Sequence, residues 1–364
     1  MGAIADIFHE FAPAYLETFP NLPLAHRKVI GAITKCRSET YGITVYRCEG
    51  CGKNHIVYRS CGNRHCPQCQ YHKSQQWLAK QQARQLPTHY FMITFTVPGA
   101  LRDFIRGQQR AAYGAMFKAS AESLKLLAGD RRFIGADLSG FTGVLHTWGR
   151  QLQYHPHIHY LVPGGGVEQA GARWRPAAIN FYTPVKALSR IYRAKFRDAM
   201  KELELFDLID ASVWKSDWVV NSQAVGTAEA SLKYLTPYVF RVAISDRRIL
   251  SVKDGVVNFR YFVKQSKRPR QMSLDAFEFI RRFLQHVLPD GFMKVRHFGF
   301  MSPNCAIGIA ELRIMILAQT AVAITAPPKE TPPIKTYAPR CPKCEGRLVF
   351  VLCILPLPPR KPPG

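Results

Sequence analysis

The stretch HPHIHYLVPGGG, residues 155–166, decides how the middle of this chain is read. Side chains alternate between the two faces of a β-strand, so His157 and His159 project the same way and Ile158 points opposite, into a core. Pro156 has no N–H to give a sheet ladder, so the ordered strand is expected to begin near it. One His-x-His pair is unexceptional in a strand, and its neighbours give it weight. Upstream, FTGVLHTWG (141–149) reads as a second strand, and RQLQ (150–153) can turn the chain. An antiparallel return sets His146 beside His157 and His159. Three imidazoles on one sheet face leave coordination positions open. That suits Lewis-acid catalysis better than a closed structural site.

The charge balance narrows the partner. Fifty Lys and Arg face 25 Asp and Glu in 364 residues, a formal net charge of +25. Such an excess favours a polyanion, and nucleic acid is the usual one. Aromatic residues form 12% of the chain, which suits single-stranded nucleic acid, whose bases stack on rings. A membrane partner is not expected. The most apolar run, IGIAELRIMILAQTAVAIT (307–325), carries Glu311 and Arg313 and falls short of the ~18 uninterrupted apolar residues of a spanning helix. It reads as a surface or packing helix.

Strands and helices alternate through the middle of the chain, with antiparallel hairpins. HYFMITFTVP (89–98) is a dense apolar strand closed by proline, and a helix is expected over about 101–128. PVKALSRIYRAKFRDAMKEL (184–203) reads as a basic helix. VFRVAISDRRILSV and VVNFRYFVKQ flank a Lys-Asp-Gly turn, a strong hairpin signal. These patterns imply an α+β fold with a central antiparallel sheet flanked by helices, preceded by a small zinc-binding domain. The expected partition is a helical lead (1–35), a zinc-binding DNA-recognition domain with a connecting helix (36–86), the sheet-bearing domain (87–265), a helical region (266–325) and a proline-rich tail (326–364).

Six of the ten cysteines lie between residues 36 and 69. Close Cys-x-x-Cys pairs without secretory features point to metal in a reducing compartment. Cys48-x-x-Cys51 and Cys66-x-x-Cys69 have knuckle spacing and are expected to complete one tetrahedral structural zinc site. Cys36, His55, Cys61 and His65 could close a second, interleaved zinc site, or the cysteines among them could be buried and unliganded. So short a segment cannot hold a core of its own, which makes metal a folding requirement. Cys341-x-x-Cys344, with Cys353 nearby, is half of a site and could pair with Cys305 or with nothing.

KYLTPYVFRVAISDRRI (233–249) brings the last chemistry. Tyr234 and Tyr238 are four residues apart and stack on one face of a continuous helix. A phenol, with a pKa near 10, attacks poorly unless a cation stabilises its oxyanion or polarises the target. Pro237 lies between them and is expected to kink or end the helix. On spacing alone the pair reads more readily as two core or interface aromatics.

Joined, these pieces resemble a known family. His157-Ile158-His159 resembles the His-hydrophobe-His signature of the HUH endonucleases. SCGNRHCPQCQ (60–70), GVLHTWGRQLQYHPHIHYLVPGGG (143–166), KYLTPYVFRVAISDRRI (233–249) and RHFGFMSP (296–303) resemble the rolling-circle insertion-sequence transposases of the IS91 type. The resemblance implies that 87–265 is an HUH, Rep/relaxase-like nuclease domain. It implies His157 and His159 as ligands of a catalytic Mg2+ or Mn2+, with His146 as the third. Tyr234 and Tyr238 take the nucleophile roles, and their order of action stays open. Imidazole donors favour Zn, Fe, Ni or Cu over Mg2+, and weakly held, exchangeable Mn2+ is the expected compromise. The implied activity is a transposase that cleaves and rejoins single-stranded transposon ends through a 5′-phosphotyrosine ester. Alternatives are a replication initiator or relaxase of the same chemistry, or a non-catalytic zinc-dependent DNA-binding regulator. No phosphate-binding Gly-x-x-x-x-Gly-Lys-Ser/Thr loop is present, so unwinding would fall to a host helicase or supercoiling. The expected setting is the bacterial cytoplasm, at the nucleoid.

Overall fold

The computed structural model describes residues 2–240, 243–263, 268–320 and 339–356, with the side chains of Tyr234, Pro237, Tyr238, Phe240 and Thr320 outside the description. Along the chain run α1 (Ala3–Thr18), α2 (Leu24–Thr34), β1 (Ile43–Cys48), β2 (Asn54–Tyr58), α3 (Tyr71–Ala83), β3 (Tyr90–Thr96), α4 (Arg102–Gly107), α5 (Gln109–Gly129), β4 (Phe141–Trp148) and β5 (Tyr154–Pro163). There follow β6 (Gly165–Glu168), β7 (Arg173–Pro176), α6 (Val185–Glu202), β8 (Val219–Gly226), α7 (Ala228–Phe240), β9 (Ile249–Lys253), β10 (Val256–Phe262), β11 (Pro269–Asp275), α8 (Ala276–Leu284), β12 (Val295–Phe298), α9 (Ile309–Thr320) and β13 (Leu348–Ile354). The fold is α+β.

Two compact units divide the chain, one from 1–73, 240–287 and 332–364, the other from 74–239 and 288–331. The second holds an antiparallel sheet in the order β12-β4-β5-β3-β8. Alternation along β5 explains how the sheet is clothed. Ile158, Tyr160 and Val162 are fully buried in a core shared with Phe95 of β3, Phe117 of α5 and Tyr192 and Phe196 of α6. Each such side chain removed from water contributes about 1.5–3 kcal/mol. The odd-numbered residues of β5 therefore line the other face. There Leu161 packs with Tyr90 and Met92 of β3 and with Ala228, Leu232 and Leu235 of α7. Helix α7 thus covers the sheet face that carries the histidines, because its apolar residues recur at helical spacing toward that face.

Helix α7 runs without a break to Phe240, through Pro237. The helix does not end at Pro237 but continues three residues past it. The Thr236 hydroxyl donates to the Leu232 carbonyl at 2.6 Å, the back-bond to the preceding turn common for threonine within a helix. The apolar run from residue 307 behaves as a packing helix. Leu312 and Ile316 of α9 are buried against Trp174 and Phe300. Arg313 donates to the carbonyls of Ala83 and Gln85 at 2.7 and 2.9 Å. No helix among the described residues is long and apolar enough to cross a membrane.

The first unit is assembled from distant stretches. Phe8 of α1 meets Phe283 of α8 edge-on at 5.1 Å, and Tyr15 meets Phe277 at 5.5 Å. The Ile4 N–H at the start of α1 donates to Asp246 at 2.9 Å, so that carboxylate caps the helix from far along the chain. The Lys-Asp-Gly turn joins β9 and β10, with φ of 53° at Asp254 and 73° at Gly255, the two positive values a tight hairpin needs. The tail contributes structure too: β13 pairs antiparallel with β1 from Ile43↔Ile354 to Cys48↔Leu348, giving a sheet ordered β13-β1-β2. The expected proline-rich tail is therefore a strand over part of its length, and 321–338 lies outside the described residues. A partition drawn linearly along the sequence differs from these units because apolar faces at both ends and in the middle of the chain complete each other.

Candidate functional site

Register on β4 and β5 builds a histidine cluster. His146 lies directly opposite His157, and Val144 opposite His159. Opposed residues of an antiparallel pair share a face, and so do residues two apart on one strand. The ring centroids are 5.3 Å apart for His146 and His157, 4.5 Å for His146 and His159, and 4.8 Å for His157 and His159. One ligand-capable nitrogen from each lies within 4.8 Å of the other two. His155, the third histidine of the quoted stretch, stays outside the trio. Its carbonyl accepts a hydrogen bond from His157 Nδ1 at 2.7 Å. A carbonyl can only accept, so Nδ1 carries the proton and the Nε2 lone pair is left for a cation. On β3, Thr94 is opposite His159, and its hydroxyl bonds His159 Nδ1 at 2.8 Å. That bond likewise fixes ring orientation and keeps Nε2 for a ligand.

The electrostatics favour neutral rings. Burial holds His146 well below the ordinary imidazole value, with help from His159, His157 and the Lys294 ammonium. Burial also holds His157 well below it, and takes His159 down to about 4. Neutral imidazole is the ligand form, so the trio is ready to coordinate at physiological pH. Among the described residues the donors are all nitrogen, with no carboxylate in the cluster. Such a set suits borderline first-row ions such as Zn2+, Fe2+ or Ni2+, and suits Mg2+, which prefers oxygen, least.

Tyr234 and Tyr238 both lie on α7, the helix that packs on this sheet face through Ala228, Leu232 and Leu235. The positions of their side chains lie outside the described residues.

The cysteines regroup. One quartet is Cys36, Cys61, Cys66 and Cys69, and the other is Cys48, Cys51, Cys341 and Cys344. In the first, the Sγ atoms of Cys36 and Cys61 are each 3.6 Å from that of Cys69. Hydrogen bonds from Cys61 and Cys66 hold the Cys69 thiol low, whereas hydrogen bonds to Cys61 and Cys69, then burial, push Cys66 up. One thiolate, at Cys69, is thus favoured, and its hydrogen-bonding neighbours Cys61 and Cys66 are held as thiols unless a cation joins them. The expected quartet of Cys48, Cys51, Cys66 and Cys69 does not assemble, and neither does the set of Cys36, His55, Cys61 and His65. His65 is buried outside both clusters. His55 of β2 puts Nε2 3.3 Å from Cys341 Sγ, beside the second quartet. The reason is topological. Cys48 ends β1, and the partner of that strand end is Leu348 of β13, which brings Cys341 and Cys344 to Cys48 and Cys51. Knuckle spacing identifies each half-site but not the strand end it will meet.

Comparison with known proteins bears on the whole chain. Residues 140–306 match a family described as putative transposase, and residues 7–97 match the transposase zinc-binding domain of IS91-type elements. The chain is 36% identical to the putative transposase y4qJ of Sinorhizobium fredii, over 94% of this chain and 90% of that one. The chain belongs to the IS91-type transposases. It is also 26% identical to the transposase for insertion sequence element IS801 of Pseudomonas savastanoi pv. phaseolicola, over 73% of this chain and 68% of that protein. No solved structure matches.

The transposase has a zinc-binding domain at its amino-terminal end, and its cysteine quartets supply donors for structural zinc. Transposase activity entails binding the DNA of transposon ends, and the net charge of +25 suits that partner. Several residues around the trio escaped the sequence reading. Thr94 is a polar residue on the histidine face of an apolar strand, a signal that alternation alone could have raised. Trp148 stacks on His146 at 5.2 Å, and the Lys294 ammonium lies 5.8 Å from the Trp148 ring centroid. The carbonyl of Lys294 accepts from Leu145 N–H at 2.8 Å. Nothing local in the sequence marks Lys294, since β12 joins β4 across a long separation.

Proposed function

We propose that the transposase cleaves and rejoins single-stranded DNA at transposon ends through a 5′-phosphotyrosine ester, as an HUH endonuclease of rolling-circle transposition. The observation that carries this reading is the convergence of His146, His157 and His159 on a sheet face covered by the helix that bears two tyrosines. His157 and His159, with His146, would hold a catalytic divalent ion, Mn2+ in preference to Mg2+. Such an ion supplies polarisation of the scissile phosphate, which makes a weak phenol nucleophile sufficient. The phenolic oxygen of Tyr234 or Tyr238 forms a bond to phosphorus as the P–O3′ bond breaks. The phenolic proton is lost, and the departing 3′ oxygen takes up a proton. The 5′ phosphate stays on tyrosine, and attack by a 3′ hydroxyl reverses the exchange. Bond energy is conserved, so the step needs no nucleotide cofactor. The second tyrosine permits a second cleavage while the first ester persists. Strand opening would depend on a host helicase or supercoiling.

Single-stranded oligonucleotides of the element's ends, incubated with the protein and Mn2+, test the reading on a denaturing gel. A covalent protein–DNA band is expected. It should vanish in the Tyr234→Phe, Tyr238→Phe double variant and in His157→Ala. A band that survives in the double variant contradicts the assignment of the nucleophiles.

A further inference from the structure

Cys341-Pro-Lys-Cys344 has no place in the reaction proposed above, and it lies far beyond the matched zinc-binding domain at 7–97. We propose that Cys48, Cys51, Cys341 and Cys344 bind a second structural zinc ion, and that this ion clasps the carboxy-terminal segment to the amino-terminal module. The module would then be complete only where residues 341–344 are present.

Sulfur spacing fits a tetrahedral thiolate site. Cys48 and Cys344 are 3.4 Å apart at Sγ, and Cys51 and Cys341 are 3.8 Å apart. Four sulfurs around zinc at about 2.3 Å stand about 3.8 Å from one another. An S–S bond would need about 2.05 Å.

The backbone is arranged as two equivalent knuckles. In one, Cys48 N–H donates to the Lys53 carbonyl at 2.9 Å, and Gly52 N–H to the Cys48 carbonyl at 2.9 Å. In the other, Cys341 N–H donates to the Gly346 carbonyl at 2.9 Å, and Glu345 N–H to the Cys341 carbonyl at 2.9 Å. Gly52 and Glu345 occupy matching positions with φ of 67° and 56°. An amide in each knuckle points at sulfur: Cys51 N–H lies 3.5 Å from Cys48 Sγ, and Lys343 N–H lies 3.4 Å from Cys341 Sγ. Such bonds stabilise thiolate over thiol. Room for the sulfurs depends on a missing side chain, since a Cβ on Gly346 would sit 3.0 Å from Cys48 Sγ and 3.3 Å from Cys344 Sγ.

The surroundings balance the charge. Four thiolates on Zn2+ carry a net charge of −2, the four thiol protons having passed to solvent. Within and beside the knuckles Arg47, Lys53, Arg340, Lys343 and Arg347 outnumber Glu49 and Glu345. His55 Nε2, 3.3 Å from Cys341 Sγ, is placed to donate to that sulfur, as an outer partner of the site rather than a fifth ligand. The β1–β13 ladder, ending at Cys48↔Leu348, sets the two half-sites side by side.

Zinc content of the purified full-length protein, measured by mass spectrometry of the element, tests the clasp. About two ions per chain are expected in the parent. Cys341→Ser with Cys344→Ser should retain about one, and Cys36→Ser with Cys61→Ser should retain the other. Two ions in the Cys341/Cys344 variant, or one in the parent, would overturn the proposal. Thiol alkylation mapped on the parent protein needs no variant to fold. Cys51, Cys344 and Cys353 are all exposed, so burial alone would leave them equally reactive. With zinc bound, Cys51 and Cys344 should resist alkylation while Cys353 reacts, and a chelator should speed alkylation of Cys51 and Cys344 while leaving that of Cys353 unchanged. Equal rates for Cys344 and Cys353 in the zinc-loaded protein would refute the site.

Discussion

Proton competition at the histidine trio is where the electrostatics make their sharpest demand. An ordinary imidazole with a pKa of about 6.5 is roughly one-quarter neutral at pH 6. If His146, His157 and His159 titrated that way, lowering the pH from 8 to 6 would weaken binding of an ion that needs all three by about 60-fold. Burial takes His159 down to about 4 and holds the other two well below their ordinary value. Each ring is then almost wholly neutral at pH 6, and affinity should change by less than about two-fold over the same range. Paramagnetic resonance of free Mn2+, titrated with zinc-replete protein at pH 8, 7 and 6, gives the three dissociation constants directly. His146→Ala serves as the control that the ion is bound at the trio. A 60-fold loss by pH 6 would show that the rings are solvated. The reasoning from burial would then fail, even if the ion were bound where expected.

The same shift has a cost for folding. The unfolded chain binds a proton at His159 near pH 6.5, and the folded chain only at about 4. In that window the unfolded state holds more protons, so stability is intact above about pH 6.5 and is lost as the pH falls toward 4. Protein without added manganese should lose about 2 kcal/mol at this residue by pH 5, seen as a lower midpoint in urea at pH 5 than at pH 7; an unchanged midpoint contradicts the shift. Thr94→Val removes the hydroxyl that orients His159 and should weaken Mn2+ binding about 10- to 100-fold with little change in melting temperature. Equal affinity in the variant would mean that the 2.8 Å bond does not position the ring. Ile158→Ala empties a fully buried position between the two histidines of β5. It should cost about 2–5 kcal/mol of unfolding free energy by denaturant titration, and a neutral effect would place Ile158 outside the core.

Much of the histidine cluster was legible because strand alternation has a period of two. The phase of His157, Ile158 and His159 fixes which of them share a face, and a short turn after His146 leaves one economical register. The hairpin at Asp254-Gly255 was legible for a similar local reason, since its two positive φ values demand such residues. The zinc ligands were only half legible. Cys-x-x-Cys spacing shows a knuckle, but pairing between knuckles follows strand neighbours, and β13 arrives from some 300 residues away to displace the pairing that proximity suggested. Thr94 and Lys294 act through β3 and β12, whose places in the sheet no nearby residue announces. The uninterrupted helix across Pro237 shows tertiary packing overriding a local breaker: the apolar face of α7 is held on Tyr90 and Leu161.

The most direct test of the catalytic account is the covalent adduct itself. Protein trapped with an end oligonucleotide, then digested with nuclease and protease, can be mapped by mass spectrometry. A 5′-nucleotide ester on the peptide containing Tyr234 and Tyr238 is the expected finding, with a free 3′ hydroxyl on the released strand. An ester on any other residue, or cleavage that leaves the 5′ phosphate free with no protein attached, would contradict it.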